Sequence, residues 1–581
     1  TLVSGRELPM HLGLPTRSVH GLPIIEHAEF GRNVPDEAMP DEDKMNLGKI
    51  YHMGKEEAAG LLLNRQAMAS HTFITGSTGT GKSNAVYHLL DEITKNGQTT
   101  FLVVEPAKGE YKNVFGNCTD VQVFGTNPRE TPLLRMNPFA FPENIHILEH
   151  IDRLVEIFNA CWPMYAAMPA VLKDAIERSY QKVGWDLRNS ESEKGVFPTF
   201  FDLLDILPGV IEESHYSKDT QSDYVGALCT RVKSLTNGIY GSVLCAEDAL
   251  TDEALFDRNV IVDLSRVGSM ETKSLLMGIL VMKLQEYRMC SSGMNSRLRH
   301  VTVLEEAHNL LRKTSAEQSQ EGANLQGKSV EMLANAIAEM RTYGEGFIIA
   351  DQAPGLLDMS VIRNTNTKII LRLPDEEDRK LVGKSAALKE AQIDELSKLP
   401  LGVAAVYQNE WPEAVLCKIE AYPMPENAVY HKPSKMPHEI NAEFVFGQLA
   451  VGKELEPLSI SEMEQLKLWL KRHETVLKPE DDRYLERVFA GGELDVAKTR
   501  KAVFDFFGGI GTVVDYCAAA EKSLTPRKEF LEQLQGQYGL KAAAADWVLN
   551  SVISMGMSLN PDAKAVDNLR TNFEQQGGRV L

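Results

Sequence analysis

The stretch His71-Thr72-Phe73-Ile74-Thr75-Gly76-Ser77-Thr78-Gly79-Thr80-Gly81-Lys82-Ser83 joins a short apolar run to a glycine-rich turn, and Asn84–Thr94 follows with helix-forming residues. The turn fits G-x-x-x-x-G-K-[ST] over Gly76–Ser83. Glycines let backbone N–H groups wrap a phosphate, and the N-terminus of the next helix adds partial positive charge. Lys82 is then placed to reach the β- and γ-phosphates and Ser83 to ligate Mg²⁺. Gly76, Ser77, Thr78, Gly79, Thr80, Gly81, Lys82 and Ser83 are therefore the nucleotide-binding candidates, with ATP and Mg²⁺ the expected ligands.

Outward from this loop the chain alternates short apolar runs with helical stretches. The runs are His71–Thr75, Phe101–Glu105, Asn259–Asp263, Val301–Leu304, Phe347–Ala350, Lys368–Leu373 and Val403–Tyr407. Continuous apolar runs of this length suit parallel strands covered on both faces, and the alternation predicts an α/β fold. Val330, Leu333, Ile337 and Met340 predict an amphipathic helix over Ser329–Met340.

Two further strand ends carry chemistry. Val301-Thr302-Val303-Leu304-Glu305-Glu306 delivers two carboxylates where α/β proteins bind ligands. Glu305 is assigned to the metal and Glu306 to the attacking water. Gln352, closing Ala350-Asp351-Gln352, is placed to orient water or sense the γ-phosphate. Arg341, Arg363 and Arg372 are the candidate cations for the transition state, and spacing does not rank them.

Composition narrows the classes. The 581 residues carry 61 basic and 81 acidic side chains, a net charge of −20, which excludes a general polyanion binder. Contact with nucleic acid then needs a local basic lining. Seven scattered cysteines without a CxxC pair argue against a disulfide framework or zinc knuckle, and point to a reducing cytoplasm. No apolar run is long enough for a transmembrane span, and no secretory signal is visible, so no membrane association is expected.

Three regions are expected. Residues 1–65, punctuated by Pro9, Pro15, Pro23, Pro35 and Pro40, read as β-rich with a linker. Residues 66–430 form the α/β core, interrupted over 140–250 by a helical insertion. Residues 431–581 read as helical, with surface helices at Glu462–Leu470 and Glu529–Gln537.

These residues resemble the HerA/FtsK group of P-loop ATPases, and HerA most closely. The resemblance is carried by His71–Ser83, Val104-Glu105-Pro106-Ala107-Lys108-Gly109-Glu110-Tyr111, Leu304-Glu305-Glu306-Ala307-His308, Gly344–Gln352 and Asn364-Thr365-Asn366-Thr367-Lys368, and covers about residues 20–420. It implies a RecA-like core, an N-terminal barrel incomplete at Thr1, and a homohexameric ring that moves double-stranded DNA using ATP. It makes Arg341 the preferred finger acting in trans. Glu105 stands where relatives usually have Asp. The resemblance also implies a partner: a nuclease, or in antiphage systems a sirtuin-like NAD⁺-degrading or nuclease-like effector. The insertion and long C-terminal region resemble the defence type more. A ring that assembles and regulates an effector without moving DNA is the alternative.

DNA contact in such a ring is expected at Lys108 and Lys112, and at Arg312, Lys313 and Lys328 flanking the polar loop Thr314–Gly327. Phosphate contacts need only placed cations. Three motifs are read as decoys: His146-Ile147-Leu148-Glu149-His150 lacks a third metal ligand, Gly508-Gly509-Ile510-Gly511 lacks a dinucleotide-site context, and Trp162-Pro163-Met164-Tyr165 reads as core or interface.

Overall fold

The structure is a computed structural model that describes residues 18, 20, 27–35, 39–95, 97–164, 167–192, 195–214, 216–246, 249–314, 322–424, 428–432, 483–484, 487–488 and most of 495–580. It divides into two compact units. The first comprises Thr1–Phe124, Glu156–Ala166 and Leu255–Tyr430; the second comprises Gly125–Val155, Ala167–Ala254 and His431–Leu581.

The strands are β1 (Lys44–His52), β2 (Lys55–Asn64), β3 (Thr72–Thr75), β4 (Thr100–Glu105), β5 (Val121–Gly125), β6 (Trp185–Asp186), β7 (Glu191–Ser192), β8 (Asn259–Asp263), β9 (His300–Glu305), β10 (Glu345–Asp351), β11 (Thr367–Ile370), β12 (Val403–Gln408) and β13 (Val415–Ile419). Eleven of them form one sheet in the order β2-β1-β13-β12-β11-β3-β10-β9-β4-β8-β5. From β11 through β8 every pairing is parallel. These strands are buried almost throughout, which explains their largely apolar sequences. All seven apolar runs are strands, in the α/β arrangement expected of a RecA-like core.

Three elements of the fold differ from what the sequence predicts. The run Val403–Tyr407 suits a parallel strand by its apolar sequence, but β12 runs antiparallel to both β11 and β13, and an apolar run signals burial without strand direction. Within 1–65, Lys44–Asn64 is not a separate barrel remnant with a linker. β1 and β2 form a hairpin whose β1 pairs antiparallel with β13, extending the core sheet. Met45, Leu47, Ile50, Leu61 and Leu63 bury their side chains in the same core as Ile74, Leu89, Val303 and Ile369. The rest of that expectation falls largely outside the described residues. Third, the helix expected over Ser329–Met340 begins earlier, spanning Gly322–Glu339, so part of the polar segment Thr314–Gly327 is helical.

His71, just before β3, has φ +65° and accepts a hydrogen bond at Nδ1 from the Phe347 N–H at 3.1 Å. Burial lowers its pKa from 6.5 to about 4, with Arg341 acting the same way and nearby backbone and Glu345 opposing. Its folded pKa is depressed, so its contribution to stability is present above pH 6.5 and is lost as pH falls toward 4. The loss amounts to about 3 kcal/mol in full. The thermal midpoint is expected to drop between pH 7 and pH 4.5. The drop should shrink in His71→Asn, which tolerates positive φ and keeps an acceptor. An equal drop in both proteins would remove His71 as the cause.

In the second unit, the helix Phe200–Glu213 starts on a capping box in which Thr199 N–H donates to Asp202 at 2.8 Å. An aromatic cluster of Phe139, Phe141, Tyr180, Trp185 and Phe197 packs beside it. The antiparallel pair β6 and β7 interrupts the helices. Farther along the chain lie Val496–Phe506, Gly509–Lys522, Pro526–Tyr538, Ala542–Leu559 and Ala563–Gln575. Tyr516 packs edge-on to Phe530 and Phe573 there. The expected helix at 529–537 lies within Pro526–Tyr538; the one at 462–470 falls outside the described residues.

Candidate nucleotide site

The phosphate loop links the C-terminal end of β3 to the helix Lys82–Thr94, at the sheet centre. A Cβ at Gly76 would sit 2.7 Å from both Leu371 Cβ and Thr80 Oγ1, and Gly81 has φ +104°, so neither tolerates a side chain. The loop is tied to its neighbours by backbone bonds from Ser77 N–H to Arg372 C=O (3.0 Å) and from Gly402 N–H to Thr80 C=O (3.1 Å). These bonds preorganise the curve before any ligand arrives.

A cavity of about 710 Å³ opens over the loop. Its wall includes Ser77, Thr78, Gly79, Gly81, Lys82 and Ser83, joined by Glu306 and Gln352 from the ends of β9 and β10. Lys82 Nζ lies 3.6 Å from Glu306 Oε1. Gln352 donates from Nε2 to Glu306 Oε2 at 3.3 Å and accepts at Oε1 from Thr78 Oγ1 at 3.0 Å. Four side chains from three strand ends thus form one chain of contacts. Glu306 itself has φ +45°, ψ +50°, a left-handed conformation that costs a non-glycine residue roughly 1–2 kcal/mol. Asn309 holds that turn by donating its N–H and Nδ2 to the Glu306 carbonyl at 2.9 and 2.7 Å.

Glu305 is placed differently. Its carboxylate is buried behind the cavity wall and accepts from Tyr111 OH at 2.5 Å. Burial pushes its pKa up. Glu105 lies in the same buried group, accepting from the Glu110 and Tyr111 N–H groups at 2.8 and 3.2 Å, and burial raises its pKa to about 8. For Mg²⁺, the hydroxyl of Ser83 on the wall fits direct ligation, whereas Glu305 fits a role behind the metal's own ligands.

The other candidates are dispersed. Arg341 is exposed in the turn Met340–Tyr343, at the opposite end of β10 from Gln352. Lys112 is corrected: its amine is buried against Asp263 at 2.6 Å, which withdraws it from any pore surface. Lys108 is also relocated, because it lines the nucleotide cavity with the backbone at φ +64°. Arg312, Lys313 and Lys328 are exposed. The spacing that suggested Lys112 carries no information about an acidic partner 151 residues away.

The structure adds residues that sequence reasoning left without a role. His308, Asn309, Met270, Lys273, Asn84 and Leu401 line the cavity. Of these only His308 carried a signal, standing beside the paired acids. The decoys are ordinary packing residues: His150 is buried and stacks on Phe141 at 4.9 Å, and His146 Nδ1 accepts from the Leu148 N–H. Trp162 is buried and stacks on Phe158 at 4.6 Å. Gly509–Gly511 opens a helix, and Gly508 lies outside the described residues.

Residues 45–283 match the family described as the central domain of helicase HerA. Curated relatives agree. The DNA double-strand break repair helicase HerA of Sulfolobus acidocaldarius is 25% identical over 393 residues, covering 65% of this chain and 69% of the relative. A probable helicase of Methanocaldococcus jannaschii is 23% identical over 436 residues, covering 68% of this chain and 76% of the relative. Among solved structures, VirB4 of Thermoanaerobacter pseudethanolicus superposes with TM-score 0.49 at 18% identity, over 66% of this chain and 98% of that one. The plasmid coupling protein TrwB in complex with ADP and Mg²⁺ gives 0.45 at 16%, over 69% and 98%. The HerA-type match begins in β1 and ends in the helix Met270–Ser291, so it takes in β1, β2, the phosphate loop and the insertion. No helix among the described residues is long and apolar enough to cross a membrane.

Proposed function

We propose that the protein is an ATPase that drives double-stranded DNA translocation or unwinding as a homohexameric ring, in concert with an effector protein. The observation that carries the ATPase reading is the contact chain Lys82–Glu306–Gln352–Thr78 across the cavity mouth. Backbone N–H groups of Gly76–Ser83 take the phosphates, Lys82 neutralises the β- and γ-oxygens, and Ser83 holds Mg²⁺. The metal, when bound, adds positive charge beside the transferring phosphoryl group. Glu306 accepts the proton of the attacking water, and Gln352 orients that water. Arg341 stands the length of β10 away, roughly 20 Å at strand rise, so it serves a neighbouring subunit's site and not its own. Lys108, Arg312, Lys313 and Lys328 remain the candidates for DNA phosphate contact, with Lys108 shared with the nucleotide cavity. Relatives named as DNA break repair helicases support the DNA substrate.

A second reading is favoured by the net charge of −20: the ring assembles and regulates an effector, such as a nuclease or a sirtuin-like NAD⁺-degrading protein of antiphage defence, and nucleotide turnover serves assembly. ATP turnover measured with and without linear duplex DNA separates the two. Stimulation by DNA alone supports the motor; stimulation only when effector is added supports the scaffold. In either case Glu306→Gln should lower kcat by about 10²- to 10³-fold with nucleotide still bound. Normal turnover in that variant would strip Glu306 of its role.

A further inference from the structure

His308 has no role in the scheme above, yet its place on the cavity wall is fixed at two atoms. Its backbone N–H and its Nδ1 both bond the same oxygen, Asp351 Oδ2, at 2.8 and 2.9 Å. Asp351 is fully buried and also accepts from the Ala353 N–H at 2.9 Å, so its charge is compensated and its position fixed by the end of β10. A carboxylate only accepts, so Nδ1 carries the hydrogen. That same Nδ1 lies 3.5 Å from Glu306 Oε2. Glu306 needs such a constraint, because it sits at the apex of a strained turn and its side chain faces the cavity.

We propose that His308, braced by Asp351, is a positioning residue that holds the Glu306 carboxylate toward the attacking water. The proposal rests on the ATPase reading. Three groups then face one carboxylate: Lys82 lies 3.6 Å from Oε1, Gln352 donates to Oε2, and the His308 ring, whose Nδ1 hydrogen goes to Asp351, lies 3.5 Å from Oε2. Lys82 is drawn toward phosphate when nucleotide binds, and Gln352 is engaged with Thr78 in the loop. His308 is the neighbour anchored to the sheet, through Asp351, and independent of the ligand. Nearby Arg312 opposes a charged ring, while Asp351 favours it.

The test is steady-state ATP turnover by the full chain, together with binding of a fluorescent ADP analogue in Mg²⁺. His308→Ala is expected to lower kcat by about 10- to 100-fold with KM and analogue affinity within about 2-fold. His308→Asn, whose amide N–H stands near the place of Nδ1, is expected to recover most of kcat. His308→Gln, which moves the amide toward the place of Nε2, should remain defective, and this pair keeps the test if the alanine variant does not fold. Wild-type kcat in His308→Ala, equal defects in Asn and Gln variants, or a parallel fall of kcat and analogue affinity would each overturn the proposal. A wild-type protein without turnover would remove the ATPase reading and this proposal with it. An active wild type with an indifferent His308→Ala would remove this proposal alone.

Discussion

Lys82→Ala is expected to abolish ATP hydrolysis, lowering kcat/KM by at least about 10³-fold, while the protein keeps its thermal midpoint. The geometry explains both halves. Lys82 opens the helix Lys82–Thr94 and points its amine into the cavity, where Glu306 at 3.6 Å is its one ion-pair partner among the described residues. Alanine is the best helix former, and Glu306 keeps Gln352 and His308 nearby, so the fold loses little. Turnover loses the charge that meets the phosphates. Measured phosphate release at wild-type rate would remove the phosphate-site assignment outright.

The largest effect on stability is expected away from the cavity, at the opposite ends of the central strands. Arg288 is completely buried and donates to Glu345 at 2.9 Å, to Asp257 at 2.7 Å and to the Phe256 carbonyl. Glu345 also accepts from His300 Nδ1 at 2.7 Å and Thr302 Oγ1 at 2.8 Å. Burial alone would raise the pKa of Glu345, but His300 and Arg288 hold it below the ordinary value. Its stabilisation is therefore present at neutral pH and is lost as the solution is acidified below the normal glutamate range. Arg288→Met leaves Glu345 buried beside a histidine whose pKa burial already lowers, and is expected to cost about 3–5 kcal/mol. In a thermal melt that corresponds to roughly 10 °C. An unchanged midpoint would mean the network contributes nothing net. Because Glu345 follows the turn that carries Arg341, the same variant also tests whether that turn depends on the buried charges.

The central strands and the phosphate loop were legible in the sequence for a physical reason. Each of those strands is buried on both faces, so its signal is a short, largely apolar run between polar ends. β2 gave no such signal: Lys55-Glu56-Glu57-Ala58-Ala59-Gly60 is largely exposed at the sheet edge, and only Leu61 and Leu63 bury fully. β5 is only half-buried at Val121 and Gln122, and β13 follows the turn at 409–413, so neither stands out as a run. Strand order depends on pairings hundreds of residues apart, as between β3 and β10 or β1 and β13, and an apolar run alone does not tell which way β12 runs beside β11. At the site, Glu306 and Gln352 announced themselves as polar ends of apolar strands. Lys112 was misread because its partner Asp263 comes from another strand. The work of His308 was hidden because a histidine beside two acids acquires meaning only when Asp351, from the next strand in the sheet, is brought against it.

The pairing of β1 with β13 also bears on how the polypeptide is made. Ile50 meets Cys417 across that ladder, so the first hairpin must wait while the ribosome adds more than three hundred further residues. At bacterial or eukaryotic elongation rates that interval is roughly 20–70 s. Throughout it, Met45, Leu47, Ile50, Leu61 and Leu63 have no finished core to enter, and one edge of β1 remains unpaired. Nascent chains of this protein are therefore expected to need protection of these residues during synthesis. Fragments truncated before residue 415 should be recovered mainly as aggregates, even though the phosphate loop is complete in them.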